Sequence, residues 1–393
     1  MNSYLDSNEL VIQLESSITS ENAEAVGTEI RQALSAHPDV PLCLDAEHLS
    51  YISSAGLRLI MVLQKSLSQP MYLCNVSSDV YSIFDQTGFL SFLDVRKKMR
   101  TVSIEGCPSL GEGAFGTVYR LNSEQVVKVF HNGKDSLPII REEQSRSRKA
   151  FLKGIPTAIP FDIVRVGEQY GAVYELINAQ NCNAELCDDP SILPELTDHF
   201  ARFLKELHAL NSSPGELREA KSVYLDYLEK VSCALSEGCR QRLRSLIESV
   251  PTELHVLHGD VQLKNVMDCN GEYVLIDMDT LCTGNPVFEF SGLYLSYIAF
   301  NEDDPHDTEV FMGIDAETAS RIFYRTLDAY LGHPSPEALK EAVEKIRIPG
   351  YLRFLYVLIV EGADIHTELK ETQIRHAAAH LDDLTQRIDA IAL

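Results

Sequence analysis

The sequence predicts a mixed α/β and α+β chain: a small sheet-and-helix domain, then a two-lobed domain with strands first and helices after. Three observations carry this. Over residues 1–96, short apolar or alternating runs are interleaved with segments of helical period. Next, the glycine-rich run Leu110-Gly111-Glu112-Gly113-Ala114-Phe115-Gly116-Thr117-Val118-Tyr119 lies between two predicted strands. Beyond residue 178 the pattern is helical except around His258–Asn265 and an apolar strand ending at Asp277.

The 393 residues suffice for two or three domains with their own cores. A net charge of −24 argues against nucleic acid or an anionic membrane as partner, because both reward clustered Lys and Arg. Nine cysteines without a C-x-x-C spacing read as reduced thiols in a cytoplasmic protein. The N-terminus has no signal-peptide pattern. The most apolar stretch, Leu352–Val360, contains Arg353 and is too short to span a bilayer.

In the first domain, Leu10, Ile12 and Leu14 alternate as a half-buried strand, and Ser20-Glu21-Asn22 opens a helix along Ala23, Val26, Ile30, Ala33 and Leu34. Val40–Leu44 and Met71–Val76 read as strands. Tyr51-Ile52-Ser53-Ser54-Ala55-Gly56-Leu57 opens a helix with Leu57, Ile60, Met61 and Gln64 on one face; Val80, Ile83 and Phe84 line another. Ser54 at a helix start is either an N-cap or a phosphoacceptor, since that position tolerates added negative charge. This segment resembles the STAS domain of anti-sigma-factor antagonists over residues 1–96. The resemblance implies Ser54 as phosphoacceptor, although Ser53 stands where well-known members carry aspartate. Arg96–Arg100 reads as a short, solvated basic joint, with a linker over 97–104.

A lone G-x-G-x-x-G fits several folds, but a dinucleotide-binding fingerprint passes directly into a helix. Here Thr117–Arg120 continues as a strand and Val126–Phe130 pairs with it, which makes a glycine hairpin over phosphates. Gly111, Gly113, Gly116 and Val118 are the nucleotide-contacting candidates. Lys128 lies within an apolar strand and needs an anion. ATP phosphates and a carboxylate of the next helix would supply one, with Glu143 preferred over Glu142. Main chain around Glu175–Ile177 is expected to read the adenine edge. Lobes over 105–178 and 179–393 follow.

Asp260, with Asn265 five positions on and Asp277 beyond, is the layout phosphoryl transfer needs: one carboxylate takes or orients the acceptor's proton, and the others hold Mg²⁺ against ATP. Predicted helices run over 194–210, 223–236, 240–249, 289–300, 316–332, 336–346, 351–363 and 367–390. From residue 101 onward the chain resembles the protein-kinase-like superfamily, nearest the aminoglycoside phosphotransferase and choline kinase branch. His258-Gly259-Asp260 with Asn265, Ile276-Asp277-Met278-Asp279 and Gly284-Asn285-Pro286-Val287-Phe288-Glu289 carry that resemblance. It implies Asp260 as base, Asn265 and Asp277 as metal ligands, and Asp279 as an auxiliary one. Gln262 replaces a catalytic-loop lysine, and Glu289 replaces an aspartate. The short segment after Asp277 leans toward a small hydroxylated acceptor.

Three functions follow from these residues. The first is an Mg²⁺-ATP phosphotransferase acting on a small-molecule hydroxyl, with the STAS part for regulation or docking a protein partner. The second is a protein serine kinase of a partner-switching circuit that targets a STAS serine such as Ser54. The third is a catalytically weak nucleotide-sensing scaffold. A homodimer is a further candidate assembly. Glu302–Asp307 reads as a solvated acidic loop, with cation binding as its alternative, and His376 and His380 as residues of a helix face.

Overall fold

The computed structural model describes every residue except Ser7, Ala114, Phe115, Asn132 and 363–365. By contact, the chain divides into Met1–Ser103 with Ile163–Glu168, and Ile104–Asp162 with Gln169–Leu393.

The first unit contains β1 (Asn2–Asp6), β2 (Glu9–Gln13), β3 (Ser17–Ile18), α1 (Ala23–Ala36), β4 (Leu42–Asp45), β5 (Tyr51–Ile52), α2 (Ser54–Ser66), β6 (Met71–Val76), α3 (Ser78–Gln86) and β7 (Asp94–Lys97). Its sheet runs β1-β2-β4-β6-β7, with β1 antiparallel to β2 and the other pairs parallel. The core joins Ile12, Leu44 and Leu73 of the strands to Ile30, Ile60 and Phe84 of the helices. On α2 the buried face is Gly56, Leu57, Ile60 and Leu63, with Leu63 in place of Met61 or Gln64. Gly56 is required by close approach, because a Cβ there would lie 2.7 Å from Ile52 and 2.8 Å from Ile18.

The first two residues of the expected basic joint are part of this sheet. Arg96 and Lys97 lie in β7, where the Arg96 guanidinium stacks 3.6 Å over the Tyr72 ring and pairs with Asp94. Lys97 sits 4.3 Å over Tyr81, and Lys98 pairs with Glu47 at 2.6 Å. These stems find aromatic and carboxylate partners while Lys97, Lys98 and Arg100 stay exposed.

The second unit begins with β8 (Ser109–Gly113), β9 (Gly116–Arg120), β10 (Gln125–Phe130) and α4 (Leu137–Leu152); after β11 (Pro160–Val166), which the division of the chain cuts, comes β12 (Gln169–Glu175), and the second unit's strands run in the order β12-β10-β9-β8. Helices α5 (Cys182–Asp188) and α6 (Leu193–Ala209), strand β13 (Arg218–Glu219), and helices α7 (Ala220–Lys230) and α8 (Glu237–Ser249) follow. Short strands β14 (Val256–Leu257), β15 (Val266–Asp268), β16 (Tyr273–Leu275) and β17 (Cys282–Thr283) frame the central loops. Helices α9 (Val287–Tyr294), α10 (Asp307–Met312), α11 (Ala316–Tyr330), α12 (Pro336–Tyr356) and α13 (Thr367–Arg387) complete it.

Two helices expected on either side of Pro349 are one. Pro349 removes a main-chain bond inside α12, yet Pro349–Leu352 are buried, and Gly350 lies so close to α9 that a Cβ would meet Tyr294 at 2.8 Å. Packing outweighs the local breaker signal. The expected extension to residue 363 ends outside the described residues. Among the described residues no helix is long and apolar enough to cross a membrane.

Candidate active site

Strands β8 and β9 form the glycine hairpin, and β9 pairs with β10 so that Val118 faces Lys128 in register. Gly116 is required there, since a Cβ would fall 2.3 Å from the Val129 carbonyl oxygen. Gly111 has nothing within 4 Å of a Cβ position, and the nearest atom to one at Gly113 is 3.8 Å away. That open backbone lets a ligand approach closely. Between buried Val127 and Val129, the Lys128 ammonium points the other way and lies 3.1 Å from both Glu143 oxygens and 3.2 Å from Asp277 Oδ1.

Pro138 occupies the first turn of α4, where its missing N–H costs nothing. The helix turns Glu143 inward and Glu142 outward to Arg146. Tyr174 donates to Glu143 at 3.0 Å. Burial alone would lower the Lys128 pKa, but the carboxylates of Asp277, Glu143 and Asp279 outweigh it and hold the ammonium charged. Glu143 is raised above the ordinary carboxylate value by burial, with Lys128 opposing. At the predicted adenine edge, the Glu175 N–H donates to the Ile159 carbonyl, and its side chain accepts from the Ile159 N–H. Ile177 N–H makes no main-chain bond among the described residues.

The loop after β14 is held from beneath. Glu289, fully buried at the start of α9, accepts from the His258 N–H at 2.7 Å and the Gly259 N–H at 2.8 Å, with His208 Nε2 at 3.4 Å. Burial would raise its pKa; His208, His258 and the Gly259 N–H outweigh that and leave it below the ordinary carboxylate value. His258 is fixed as the Nε2–H tautomer, because Nε2 faces the Ile276 carbonyl at 3.0 Å while Nδ1 accepts the Asp260 N–H at 3.2 Å. Gly259 has φ +85°, and a Cβ there would meet the Thr280 carbonyl at 2.5 Å.

Asp260 is thereby presented with three side chains around it. Arg353 of α12 donates Nη2 to Asp260 Oδ1 at 2.9 Å and Nη1 to the Gly259 carbonyl. Gln262 and Asn265 each place an amide nitrogen 3.4 Å from Oδ2. Asn265 also donates to the Asp260 carbonyl at 2.8 Å, which leaves its amide oxygen for a ligand.

Asn265 and Asp277 sit at the open end of the β15–β16 hairpin, where the Ile276 N–H bonds the Asn265 carbonyl at 3.0 Å. Asp277 adopts φ 65°, ψ 67°, a left-handed conformation uncommon outside Gly, Asn and Asp. Carboxylate oxygens of Glu143, Asp277 and Asp279 lie within 4.8 Å of one another. The Asp279 pKa is pushed up to about 8 by burial and then by Asp277. Lys128 occupies both Glu143 oxygens but only one of Asp277, so the hard oxygen donors suited to Mg²⁺ are Asp277 and Asp279.

Ser54 belongs to the first unit. The helix cap is Ser53, which accepts from the Gly56 N–H, and Ser54 is exposed. Its hydroxyl makes no hydrogen bond among the described residues. Arg353, Arg146, Tyr174 and His208 were not singled out as site residues from sequence. Arg353 carried a usable signal, an arginine within an apolar helical run, which needs an anion by the same logic as Lys128.

The family model for the STAS domain matches residues 2–102, and that of the phosphotransferase enzyme family matches residues 107–321. A putative anti-sigma factor antagonist, BtrV of Bordetella bronchiseptica, is 34% identical over 89 residues, covering 22% of this chain and 76% of that protein. Among solved structures, the GDP complex of wild-type aminoglycoside 2'-phosphotransferase-IIIa aligns at 14% identity and TM-score 0.45, over 78% of this chain and 97% of that one. An aminoglycoside phosphotransferase of Streptomyces rimosus with ADP and streptomycin aligns at 16% and 0.37, over 71% and 92%. The chain belongs to the phosphotransferase enzyme family and carries a STAS domain ahead of its phosphotransferase domain.

Proposed function

We propose that the chain transfers the γ-phosphoryl group of ATP to a hydroxyl of a small molecule. The observation that carries this is the convergence of Lys128–Glu143, Asp277 with Asp279, and an Asp260 oriented by Arg353 and Asn265. Lys128 would hold the α/β-phosphates once they displace it from Asp277, beneath the backbone of Gly111, Gly113, Gly116 and Val118. Glu175 and Ile177 would offer main-chain groups to the base. Asp277 and Asp279, with the Asn265 amide oxygen, would hold Mg²⁺, which neutralises phosphate charge when bound. Asp260 takes the acceptor's proton as the acceptor oxygen bonds to γ-phosphorus; the β,γ-bridging P–O bond breaks and ADP leaves.

A small acceptor is favoured because the segment from Asp277 to α9 is short and tied down through β17, which pairs with β13 and β14. A peptide acceptor needs a longer platform. The second reading, transfer to a STAS serine, rests on the exposed hydroxyl of Ser54. The STAS domain would then serve regulation or docking, and the nine free thiols favour the cytoplasm.

The test incubates the chain and its Asp260→Asn variant with labelled Mg²⁺-ATP and a panel of hydroxylated metabolites, with mass spectrometry of the Ser54 peptide alongside. Label is expected on a small molecule with wild type only, and Ser54 unmodified. Phosphate on Ser54 that depends on Asp260 would replace the first reading by the second. ATP binding without any transfer would leave a nucleotide-sensing scaffold.

A further inference from the structure

A cavity of about 90 Å³ lies against the catalytic loop, and its wall includes Gly259, Asp279 and three arginines from separate elements: Arg146 of α4, Arg218 of β13 and Arg353 of α12. Three arginines in the wall of one cavity is unexpected in a chain of net charge −24. Two of them are anchored: Arg146 donates to the Asp279 carbonyl and to Glu142, and Arg353 to the Gly259 carbonyl and Asp260. Arg218 is different. It is exposed at the rim, and its guanidinium has no carboxylate or carbonyl partner among the described residues. The Tyr227 hydroxyl, also on the wall, has no hydrogen bond among the described residues either. Unpartnered donors in the wall of a largely apolar cavity are a recognition pattern for an anion, because little else there competes for it.

Resting on the small-molecule reading above, we infer that this cavity is an acceptor subsite for an anionic group, so that the acceptor is a hydroxyl compound carrying a phosphate or carboxylate. Arg353 links the two places, since one of its nitrogens holds the Asp260 carboxylate while its guanidinium borders the cavity. An anion seated there therefore brings its own molecule to the base. Whole ligands of drug size fill about 300–1,000 Å³; this cavity takes only the charged substituent. Two carboxylates of the acidic loop that would favour a cationic acceptor are already engaged. Glu302 accepts from the hydroxyls of Tyr294 and Tyr351, and Asp303 lies 2.8 Å from His376.

The experiment titrates inorganic phosphate into the full chain by calorimetry at fixed ionic strength, with and without Mg²⁺ and a non-hydrolysable ATP analogue. Phosphate should bind wild type with the analogue in place. Arg218→Gln should weaken it about tenfold, the worth of one charge-assisted hydrogen bond, and Arg218→Lys should recover part. Equal binding by wild type and Arg218→Gln, or none to either, overturns the subsite. Binding of the analogue is read separately, so failure of the nucleotide reading shows as its absence. In turnover with Mg²⁺-ATP, a hydroxyl compound is offered in neutral, cationic and phosphorylated forms. Preference for the phosphorylated form, lost in Arg218→Gln, supports the acceptor assignment. Preference for the neutral or cationic form, with phosphate still bound, assigns the cavity to free phosphate and overturns it.

Discussion

Replacing Glu289 by glutamine tests whether Asp260, the proposed base, is held from below. The wild-type carboxylate accepts from two main-chain N–H groups, at 2.7 and 2.8 Å, in a fully buried position beside His208. Glutamine keeps the volume but offers a single acceptor oxygen. One of the His258 and Gly259 N–H groups then faces an amide N–H₂, and an unsatisfied buried donor costs about 1–3 kcal/mol. The surviving bond falls from charge-assisted to neutral, a further loss of about 1 kcal/mol. The sum is about 2–4 kcal/mol. Because Gly259 leads directly into Asp260, a shift of about 1 Å in this loop should cut turnover about 100-fold, with ATP affinity within a few-fold because Lys128 and Glu143 lie on other elements. The chain has no tryptophan, so urea unfolding is followed by far-ultraviolet circular dichroism. The pH dependence has a fixed sign. The folded pKa of Glu289 lies below its ordinary value, so its contribution is complete above the usual carboxylate range, about pH 4.3, and is lost as pH falls through the folded value. The stability gap between wild type and Glu289→Gln should therefore narrow in acid. A variant as stable as wild type at pH 7, with full turnover, would refute the reasoning.

Lys128→Met should abolish ATP-dependent transfer and, by leaving Glu143 buried without its cation, destabilise the fold by about 3–5 kcal/mol. Adding Glu143→Gln should recover much of that stability in urea titrations without any activity; recovery of turnover would contradict the assignment of Lys128. Gly116→Ala should splay the glycine hairpin at its 2.3 Å approach to Val129 and raise KM for ATP more than it lowers kcat, as steady-state kinetics would show. Asp277→Asn should fold as well as wild type, because asparagine tolerates the left-handed backbone there. Mg²⁺-dependent turnover should nevertheless disappear; retained turnover would remove Asp277 from the metal set.

What was legible in the sequence had its cause nearby. A lysine in an apolar strand announces a need for an anion, and Glu143 follows on the next helix. Alternation located β2, and the full run Met71–Val76 was readable as β6. What was hidden had its cause elsewhere in the chain. Pro349 reads as a helix stop under any local rule, and only its burial against α9 shows why α12 continues. The residues of β7 carry charges that suggest solvent, while the aromatic rings of Tyr72 and Tyr81 that receive them come from β6 and α3. The substitution at Glu289 was visible as a departure from the expected aspartate. That its carboxylate bridges two main-chain donors required the tertiary structure.

The position of positive charge around Asp260 joins the fold to acceptor choice. Within the loop itself Gln262 supplies only an amide, so the loop brings no cation of its own to Asp260. Arg353 supplies it instead, from a helix 93 residues later. A lysine within the loop would accompany the base whatever acceptor was present. Arg353 belongs to α12, which packs on α9 and also borders the arginine cavity. Orientation of the proposed base and occupation of the proposed subsite would therefore draw on one guanidinium. An acceptor that engages Arg353 from the cavity side acts on the same group that holds Asp260 Oδ1. In such an arrangement, binding selectivity and turnover should change together when the arginine set is altered. Phosphate transfer to water, which offers nothing to the cavity, should be the least efficient reaction of the site.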